Sequence, residues 1–337
     1  MIEQNKDVTS LTTFHVPAIA EQYCKVTSID EARSAIQSAK EQKKSLKILG
    51  GGSNILLTKD ISSFVLHTCI DGMNVEQKSS NTFLTVYAGV EWHSLVQYCV
   101  ENSLGGIENL ALIPGFVGAA PIQNIGAYGV EIADVLESVT VLDLETLEQY
   151  SLSNSECKFG YRDSIFKRSL AGKVLILSVT LRLTNTNHSI NYSYKDVALE
   201  LELHSITTPT ILDVFSSVVS VRKRKLPDPK VLGNAGSFFK NPIISKMLLE
   251  EIQKNFPAIP SYKYDDENVK VAAAFLIENV GMKGFRLNDV GTHIHQPLVL
   301  VNYGNGRGIE VLELANSIIE KVQSTFGITL QTEVNIW

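Results

Sequence analysis

Hydrophobic and polar positions follow two different periods along the chain, and together they predict a protein of mixed helices and strands. Apolar residues at helical spacing occur in six segments, at 28–43, 91–102, 210–224, 245–255, 271–280 and 309–326. Shorter alternating or continuously apolar segments predict strands at 23–27, 46–49, 82–88, 174–183, 298–302 and 328–336, and a hairpin over 135–152. No internal repeat or low-complexity tract interrupts this pattern.

The first helix and the last strand make the most specific predictions. Ser28 followed by Glu31 predicts a capping box, and the stripe Ala32, Ala35, Ile36 and Ala39 predicts packing on a sheet. In the last strand the apolar residues share one face: Ile328, Leu330, Val334 and Ile336. The opposite face therefore carries Glu333, which is expected to face solvent or a site.

The stretch from Gly105 to Glu131, GGIENLALIPGFVGAAPIQNIGAYGVE, is rich in glycine and almost without charge. Such a segment suits backbone that lies against a flat, largely apolar ligand, because Cβ atoms would obstruct the approach and backbone N–H groups must donate. A buried packing segment of glycine and alanine would have the same composition. The residues alone leave both interpretations open.

A second glycine-rich stretch, Gly50 to Asn54, follows the predicted strand 46–49. Three glycines let successive N–H groups point into one concavity, while Ser53 and Asn54 add side-chain donors, as in a phosphate-binding nest. The dinucleotide fingerprint is absent because Ile55 occupies its third glycine position, and no Gly-Lys-Ser/Thr follows. A tight turn that requires glycine is the alternative.

Several polar residues stand in settings that suggest chemistry. Arg162 lies beside Asp163 among aromatic residues, either in a structural ion pair or as a cation for an anionic ligand. The basic run 222–225 ends a predicted helix, where it opposes the helix dipole. Ser237 lies in GNAGSFFKNP, which contains no nucleophile elbow, so nucleophilic hydrolysis is not favoured. His293 and His295 share a face without a third ligand, so no metal site is expected.

Composition narrows the class of protein further. The chain has 337 residues, which suggests two or three domains, and a net charge of −6, which gives no general attraction to nucleic acid or anionic membranes. No apolar run reaches the ~18 residues of a membrane span and the N-terminus lacks a signal peptide. We therefore expect a cytoplasmic protein without membrane insertion. Its cysteines are widely spaced and expected to be reduced: Cys24, Cys69, Cys99 and Cys157.

Five long motifs, in one order, resemble the MurB family of UDP-N-acetylenolpyruvoylglucosamine reductases. They are LGGGSN (49–54), ENLALIPGFVGAAPIQNIGAYG (ending at Gly129), FGYRDSIFK (159–167), KLPDPK (225–230) and GNAGSFFKNP (233–242). The surroundings of Tyr194 resemble the tyrosine segment of the type I branch. The resemblance covers most of the chain and is far more specific than a glycine pattern alone.

The resemblance implies an α+β fold class, with a two-part FAD-binding domain of the vanillyl-alcohol-oxidase (PCMH) type and a C-terminal α/β substrate-binding domain. The implied domains are 1–70, completed by a strand at 327–337, then 71–212, and a UDP-sugar domain at 213–326. The implied enzyme is a monomer that binds FAD non-covalently and accepts electrons from NADPH. It reduces the enolpyruvyl ether of UDP-N-acetylglucosamine to UDP-N-acetylmuramate for peptidoglycan synthesis, and thus serves cell-wall biogenesis, cell shape and division.

The resemblance also assigns residues. Arg162 and Glu333 are matched as catalytic groups that stabilise charge, and Ser237 as the proton donor to C2. The matched FAD-binding residues are Gly50, Gly51, Gly52, Ser53, Asn54, Pro114, Gly115, Gly118, Ala119, Ala120, Gln123, Gly126 and Tyr128. The matched UDP-sugar residues are Tyr194, Lys225, Asn241 and Gln296.

Two positions depart from the family pattern, and two other functions compete. Asn335 stands where many relatives have Arg, which affects the support of the diphosphate or of Glu333. Gly51 is Glu in some relatives, so substitution there is expected to alter little. The competing functions are a flavin oxidase or dehydrogenase of the same fold, which often tethers its flavin covalently, and a nucleotide-binding protein without turnover.

Overall fold

The computed structural model describes the whole chain, Met1–Trp337, and contains seven α-helices. Their bounds are α1 Ile29–Glu41, α2 Trp92–Glu101, α3 Lys195–Leu203, α4 Ile211–Lys225, α5 Lys246–Gln253, α6 Ala273–Asn279 and α7 Gly308–Phe326. Six of them lie within or close to the six segments of helical periodicity. The exception is α3, which begins directly after Tyr194 and buries Val197 and Leu201.

The chain also forms twenty strands. They are β1 Ile2–Asp7, β2 Ile19–Val26, β3 Leu46–Leu49, β4 Ile55–Leu56, β5 Ile61–Thr68, β6 Met73–Lys78, β7 Asn81–Tyr87, β8 Gly126–Ala127, β9 Val130–Glu131, β10 Leu136–Asp143, β11 Gln149–Ser153, β12 Val174–Thr184, β13 Gly233–Ser237, β14 Ile243–Ser245, β15 Ser261–Lys263, β16 Asn268–Val271, β17 Arg286–Leu287, β18 Val290–Thr292, β19 Val299–Asn302 and β20 Asn335–Ile336. The predicted hairpin corresponds to β10 and β11, which pair antiparallel.

The chain divides into two compact units, and each is discontinuous in sequence. The first unit comprises Met1–Lys6, Ala20–Gly52 and Ile61–Arg224. The second comprises Asp7–Ile19, Ser53–Asp60 and Lys225–Trp337. The three-part division inferred from the family resemblance remains a prediction.

The first unit contains two sheets and their helices. One sheet has the order β1-β2-β5-β3, with β2 and β3 both parallel to β5, and α1 packs against β5. The predicted stripe of α1 is buried, and Ser28 accepts a hydrogen bond from Glu31 N at 3.2 Å, which confirms the cap. The second sheet has the order β11-β10-β12-β7-β6, and its central strand β12 is almost wholly buried.

The second unit is built around α7 and the sheet β13-β19-β18-β17. Helix α7 contacts α6, β18 and β19. The helical period of 309–326 predicts an apolar stripe, of which Ile319 is half-buried and the other members are buried: Val311, Leu314, Ala315, Ile318, Val322 and Phe326. The first residue of α7, Gly308, is required by space, because a Cβ there would overlap the carbonyl of Leu57. A smaller sheet, β14-β16-β15, packs against α5.

The prediction of one continuous strand over 328–336 was wrong. Only Asn335–Ile336 is a regular strand, and it pairs in parallel with β4. The preceding residues bond a different neighbour, because Lys240 N donates to Gln331 O at 2.9 Å and Glu333 N donates to Phe238 O at 2.8 Å. The segment therefore changes partner within a few residues, which breaks the regular ladder.

No helix of the chain is both long enough and apolar enough to cross a membrane. The four cysteines are free, and three of them, Cys24, Cys99 and Cys157, are buried. No group of three or more His, Cys, Asp or Glu side chains is arranged to hold a metal ion.

Candidate active site

The glycine turn after β3 approaches the long glycine-rich loop very closely. A Cβ added to Gly51 would lie 2.8 Å from the Cα of Gly115 and 3.1 Å from the Phe116 ring. Gly52 adopts φ +61°, in the left-handed region that favours glycine. The expectation that a side chain at position 51 alters little is wrong for this chain, since two backbone segments would have to separate. At Gly51 the close approach leaves room for the backbone alone.

The loop from Gly105 to Glu131 is partly a packing segment and partly open. Gly118 is a packing residue, because its Cβ would lie 2.6 Å from the Cβ of Ala88. Backbone hydrogen bonds also fix this part, with Val117 N donating to Val90 O at 2.9 Å. Of the loop residues matched to FAD, Gly118 and Ala120 are buried, Ala119 is exposed, and the others are half-buried: Pro114, Gly115, Gln123, Gly126 and Tyr128. The packing interpretation therefore holds for the part around Gly118, and ligand binding by the half-buried part remains a prediction.

Two buried asparagines hold the loop in shape, and sequence reasoning missed both. The Asn109 amide donates to the carbonyls of Tyr128 at 3.0 Å and Asn191 at 2.8 Å. The Asn124 amide donates to the Glu131 carboxylate at 2.6 Å. Both side chains are 1% exposed, so their hydrogen bonds replace water that the loop backbone would otherwise need. An asparagine within an apolar run was the available signal.

Arg162 contacts this loop directly. Its Nη2 donates to Gly126 O at 2.8 Å, and its Nη1 lies 3.4 Å from Asn124 O. The backbone of Arg162 has φ +52°, which is uncommon for a residue with a side chain and accompanies functional positions. The neighbouring Asp163 carboxylate pairs with Arg168 at 2.6 Å. The guanidinium of Arg162 is thus held against the loop matched to the flavin.

Arg222 is a second cation beside this loop. Its place in the basic run 222–225 predicted only an interaction with the helix dipole. Its guanidinium hydrogen-bonds the Tyr128 side chain. Burial lowers the pKa of Arg222, and the charge of Arg162 lowers it further. Its Nε is buried without a hydrogen-bond partner in the protein. Two guanidinium groups that repel each other favour a bound anion, which relieves the repulsion.

Tyr194 extends the same region of the first unit. Its ring packs edge-on against Tyr128, with centroids 5.1 Å apart and an angle of 84° between the planes. Tyr194 is 44% exposed. Tyr194 therefore presents an exposed aromatic ring at the start of α3.

In the second unit, Ser237 ends β13 in a turn that a buried asparagine fixes. The Asn234 side chain is 3% exposed, accepts a hydrogen bond from Gly236 N at 2.9 Å and donates to Leu232 O at 2.8 Å. Gly236 adopts φ +69°, and the ladder with β19 shifts register between Asn234 and Ser237. The half-buried Ser237 therefore lies directly after an irregularity of the ladder, opposite Val299.

Glu333 lies beside the residue that follows Ser237. Its backbone N donates to Phe238 O at 2.8 Å, and its backbone O accepts from the Asn54 side chain at 3.1 Å. The side chain of Asn335, the departure from the family pattern, donates to Asn54 O at 3.0 Å. Asn54 and Glu333, matched to FAD and to catalysis respectively, are therefore joined by a hydrogen bond from the Asn54 side chain to the Glu333 backbone.

The remaining substrate-matched residues of this unit have structural contacts of their own. Asn241 Oδ1 accepts from Ala273 N at 2.9 Å at the start of α6, so its amide NH₂ is the end that remains for a ligand. Gln296 lies in the β18–β19 turn, where its backbone O accepts from Val299 N at 3.0 Å. Lys225 is the last residue of α4 and is half-buried.

Comparison with known proteins gives matches over the whole chain. Residues 20–146 match the model of an FAD-binding domain, and residues 228–337 match the UDP-N-acetylenolpyruvoylglucosamine reductase C-terminal domain. The chain is 45% identical to the UDP-N-acetylenolpyruvoylglucosamine reductase of Flavobacterium johnsoniae, over 99% of both chains. It is also 45% identical to that of Pseudomonas savastanoi pv. phaseolicola, over 96% of both.

The fold is also similar to a solved structure. The crystal structure of UDP-N-acetylenolpyruvylglucosamine reductase from Thermus caldophilus aligns with a TM-score of 0.69 at 24% identity, covering 100% of this chain and 99% of that one. This match and the two domain models confirm the predicted fold class: α+β, with an FAD-binding domain of the PCMH type and a C-terminal reductase domain.

Proposed function

Because this chain belongs to the UDP-N-acetylenolpyruvoylglucosamine reductase family, we propose that it reduces the enolpyruvyl ether of UDP-N-acetylglucosamine in peptidoglycan precursor synthesis. It is a flavin-dependent oxidoreductase with an FAD-binding domain. The proposal includes NADPH as the reductant, non-covalent FAD, and a cytoplasmic monomer. One observation of the structure supports it most: Phe238, which adjoins Ser237, accepts the backbone hydrogen bond of Glu333.

The residues matched to FAD fit that group chemically. The turn Gly50–Gly52 offers backbone N–H groups where Gly51 leaves no room for a side chain, as a pyrophosphate requires. The half-buried, uncharged loop residues from Pro114 to Tyr128 offer a flat surface to the flavin ring. No Cys or His occurs among these matched residues, which supports non-covalent binding. The bound FAD supplies a hydride to C3 of the enolpyruvyl group.

Arg162 and Glu333 are proposed to stabilise the charge that the hydride creates. Addition at C3 leaves negative charge at C2 that spreads into the substrate carboxylate. The guanidinium of Arg162 is the cation for this charge, and its bond to Gly126 O fixes its direction beforehand. Glu333 is the second group, which donates a hydrogen bond as a neutral acid or acts through water. Arg222 adds positive charge beside Arg162.

Ser237 is proposed to donate the proton to C2. A serine hydroxyl is a weak acid toward water, but the enolate carbon is a strong base, so a well-placed hydroxyl serves as the donor. The turn that carries Ser237 is fixed by Asn234, whose side chain accepts from Gly236 N and is almost fully buried. A fixed hydroxyl supports stereospecific protonation of C2.

Lys225 is proposed to contact the substrate diphosphate, with Tyr194, Asn241 and Gln296 as further contacts to the UDP-sugar. Lys225→Ala is expected to raise the substrate KM by about tenfold with little change in kcat, because one charge-assisted bond made equally in ground and transition states contributes roughly 1.5 kcal/mol. Steady-state kinetics with the enolpyruvyl substrate measure this. An unchanged KM would mean that Lys225 only opposes the helix dipole. Lys230→Ala is the control, since it changes a nearby exposed lysine.

The visible absorption spectrum of the purified protein, before and after heat denaturation and removal of precipitate, tests the proposed cofactor. We expect a flavin spectrum that passes to the supernatant. A flavin that stays with the precipitate would favour the oxidase or dehydrogenase alternative, and a protein that takes up no added FAD would defeat the proposal. Stopped-flow reoxidation by substrate then separates the reductase from a non-catalytic binding protein, which would show none.

A further inference from the structure

His67 is a buried imidazole beneath the glycine turn, and none of the proposed catalytic steps uses it. It is the penultimate residue of β5 and is 8% exposed. In the parallel sheet it is the direct neighbour of Leu49 on β3 and of Lys25 on β2. Its position therefore follows from the sheet, directly beside the residue at which the turn begins.

The His67 ring has two hydrogen-bond partners. The Tyr23 hydroxyl lies 2.7 Å from Nδ1, and the ring also hydrogen-bonds the backbone of Gly50. Burial lowers the pKa of His67 to about 4, and the contact with Gly50 opposes that change. A contact that favours the protonated ring is one in which imidazole N–H donates, so the Gly50 carbonyl is the acceptor. The neutral ring accepts at Nδ1 from the Tyr23 hydroxyl.

The same ring also contacts the second segment matched to FAD. The rings of His67 and Phe116 are nearly parallel, with centroids 6.3 Å apart and an angle of 5° between their planes. Phe116 directly follows Gly115, whose Cα limits the space at Gly51 to 2.8 Å. His67 thus touches the glycine turn by a hydrogen bond and the flavin-matched loop by its ring face.

We propose that His67 is a positioning residue for the cofactor, which fixes the Gly50–Gly52 turn against Phe116 so that the turn's N–H groups face the FAD pyrophosphate. The carbonyl of Gly50, held by the imidazole, points away from the ligand side, which leaves the following N–H groups to converge on an anion. This inference rests on the proposed function, because it takes these two segments as the FAD-binding ones.

The test compares FAD retention by the wild-type holoenzyme and three variant holoenzymes after rapid gel filtration and dilution. His67→Ala is expected to release FAD at least tenfold faster than the wild type. His67→Gln, whose amide N–H can reach the Gly50 carbonyl, is expected to recover much of that loss. Val26→Ala is the matched control, since Val26 is fully buried in the same sheet but has no part in the turn. It is expected to lower the unfolding temperature and leave FAD release unchanged.

A second variant keeps the proposal testable if His67→Ala does not fold. His67→Phe keeps an aromatic ring against Phe116 and removes the bond to Gly50, so it too is expected to lose FAD faster. The ³¹P resonances of its bound FAD are expected to shift, while those of Val26→Ala stay at the wild-type positions. Wild-type retention in His67→Phe, or equal loss in His67→Ala and Val26→Ala, would overturn the positioning role. A wild-type protein that binds no FAD would instead overturn the proposed function.

Discussion

Ser237→Ala is expected to leave reduction of the flavin by NADPH unchanged and to slow reoxidation by the enolpyruvyl substrate by about 10²- to 10⁴-fold. Only the second half-reaction requires a proton at C2, so loss of the donor affects that step alone. Water has to replace the hydroxyl in the variant, without the orientation that the turn at Gly236 provides. Stopped-flow absorbance of the flavin measures the two half-reactions separately.

The reduction half-reaction is the internal control for the Ser237 variant. Ser237→Cys is the conservative partner, because a thiol at the same position retains an ionisable proton and is expected to keep more reoxidation than alanine. Equal impairment of both half-reactions by Ser237→Ala would contradict the proton-donor role. A wild-type rate of reoxidation would do so as well.

Local periodicity predicted those elements whose packing is decided within a few residues. The stripes of α1 and α7 are both buried as expected, because an amphipathic helix must bury its apolar face whatever it packs on. The strand predicted over 328–336 was wrong because alternating apolar residues indicate which side chains are buried, whereas a regular strand also needs one continuous neighbouring strand. The neighbours that this segment bonds, among them Phe238, Lys240 and Leu56, are remote in sequence from it.

The sequence predicted those residues of the candidate site that lie within a motif. It did not predict those whose role depends on a contact formed only in the folded chain. Asn234 is visible in the sequence only as one residue of GNAGS, and its bond to Gly236 N becomes apparent in the folded turn. Arg222 lies in a basic run at a helix end, and the sequence did not distinguish it from its exposed neighbour Lys223. Its contact with Tyr128 arises from chain segments about a hundred residues apart. A single sequence does not indicate which distant residues come into contact.

Arg162→Gln is expected to slow reoxidation of the reduced flavin by the enolpyruvyl substrate by about 10²- to 10³-fold, the usual cost of one group that stabilises developing charge. Glutamine retains a donor for Gly126 O, so the loop and its FAD are expected to remain in place. Arg162→Lys retains the charge but not the planar fork, and an intermediate rate is expected. Stopped-flow reoxidation with FAD content as a parallel measurement distinguishes charge from loop structure.

Arg168→Gln is the matched control, because Arg168 directly follows the same motif and pairs with Asp163 at 2.6 Å while remaining 48% exposed. An exposed ion pair contributes little to stability, so wild-type reoxidation is expected. If Arg162→Gln lost FAD and activity together, the guanidinium would serve the loop rather than the substrate. If Arg162→Gln kept both FAD and activity, another residue would have to supply the positive charge. The next residue to change is Arg222, which lies beside Arg162 and has a buried Nε without a hydrogen-bond partner in the protein. The charge of Arg162 lowers the pKa of Arg222, so removing Arg162 raises the pKa of Arg222. If the rate fell only when Arg162 and Arg222 were both changed, the two arginines together would supply the positive charge that stabilises the substrate.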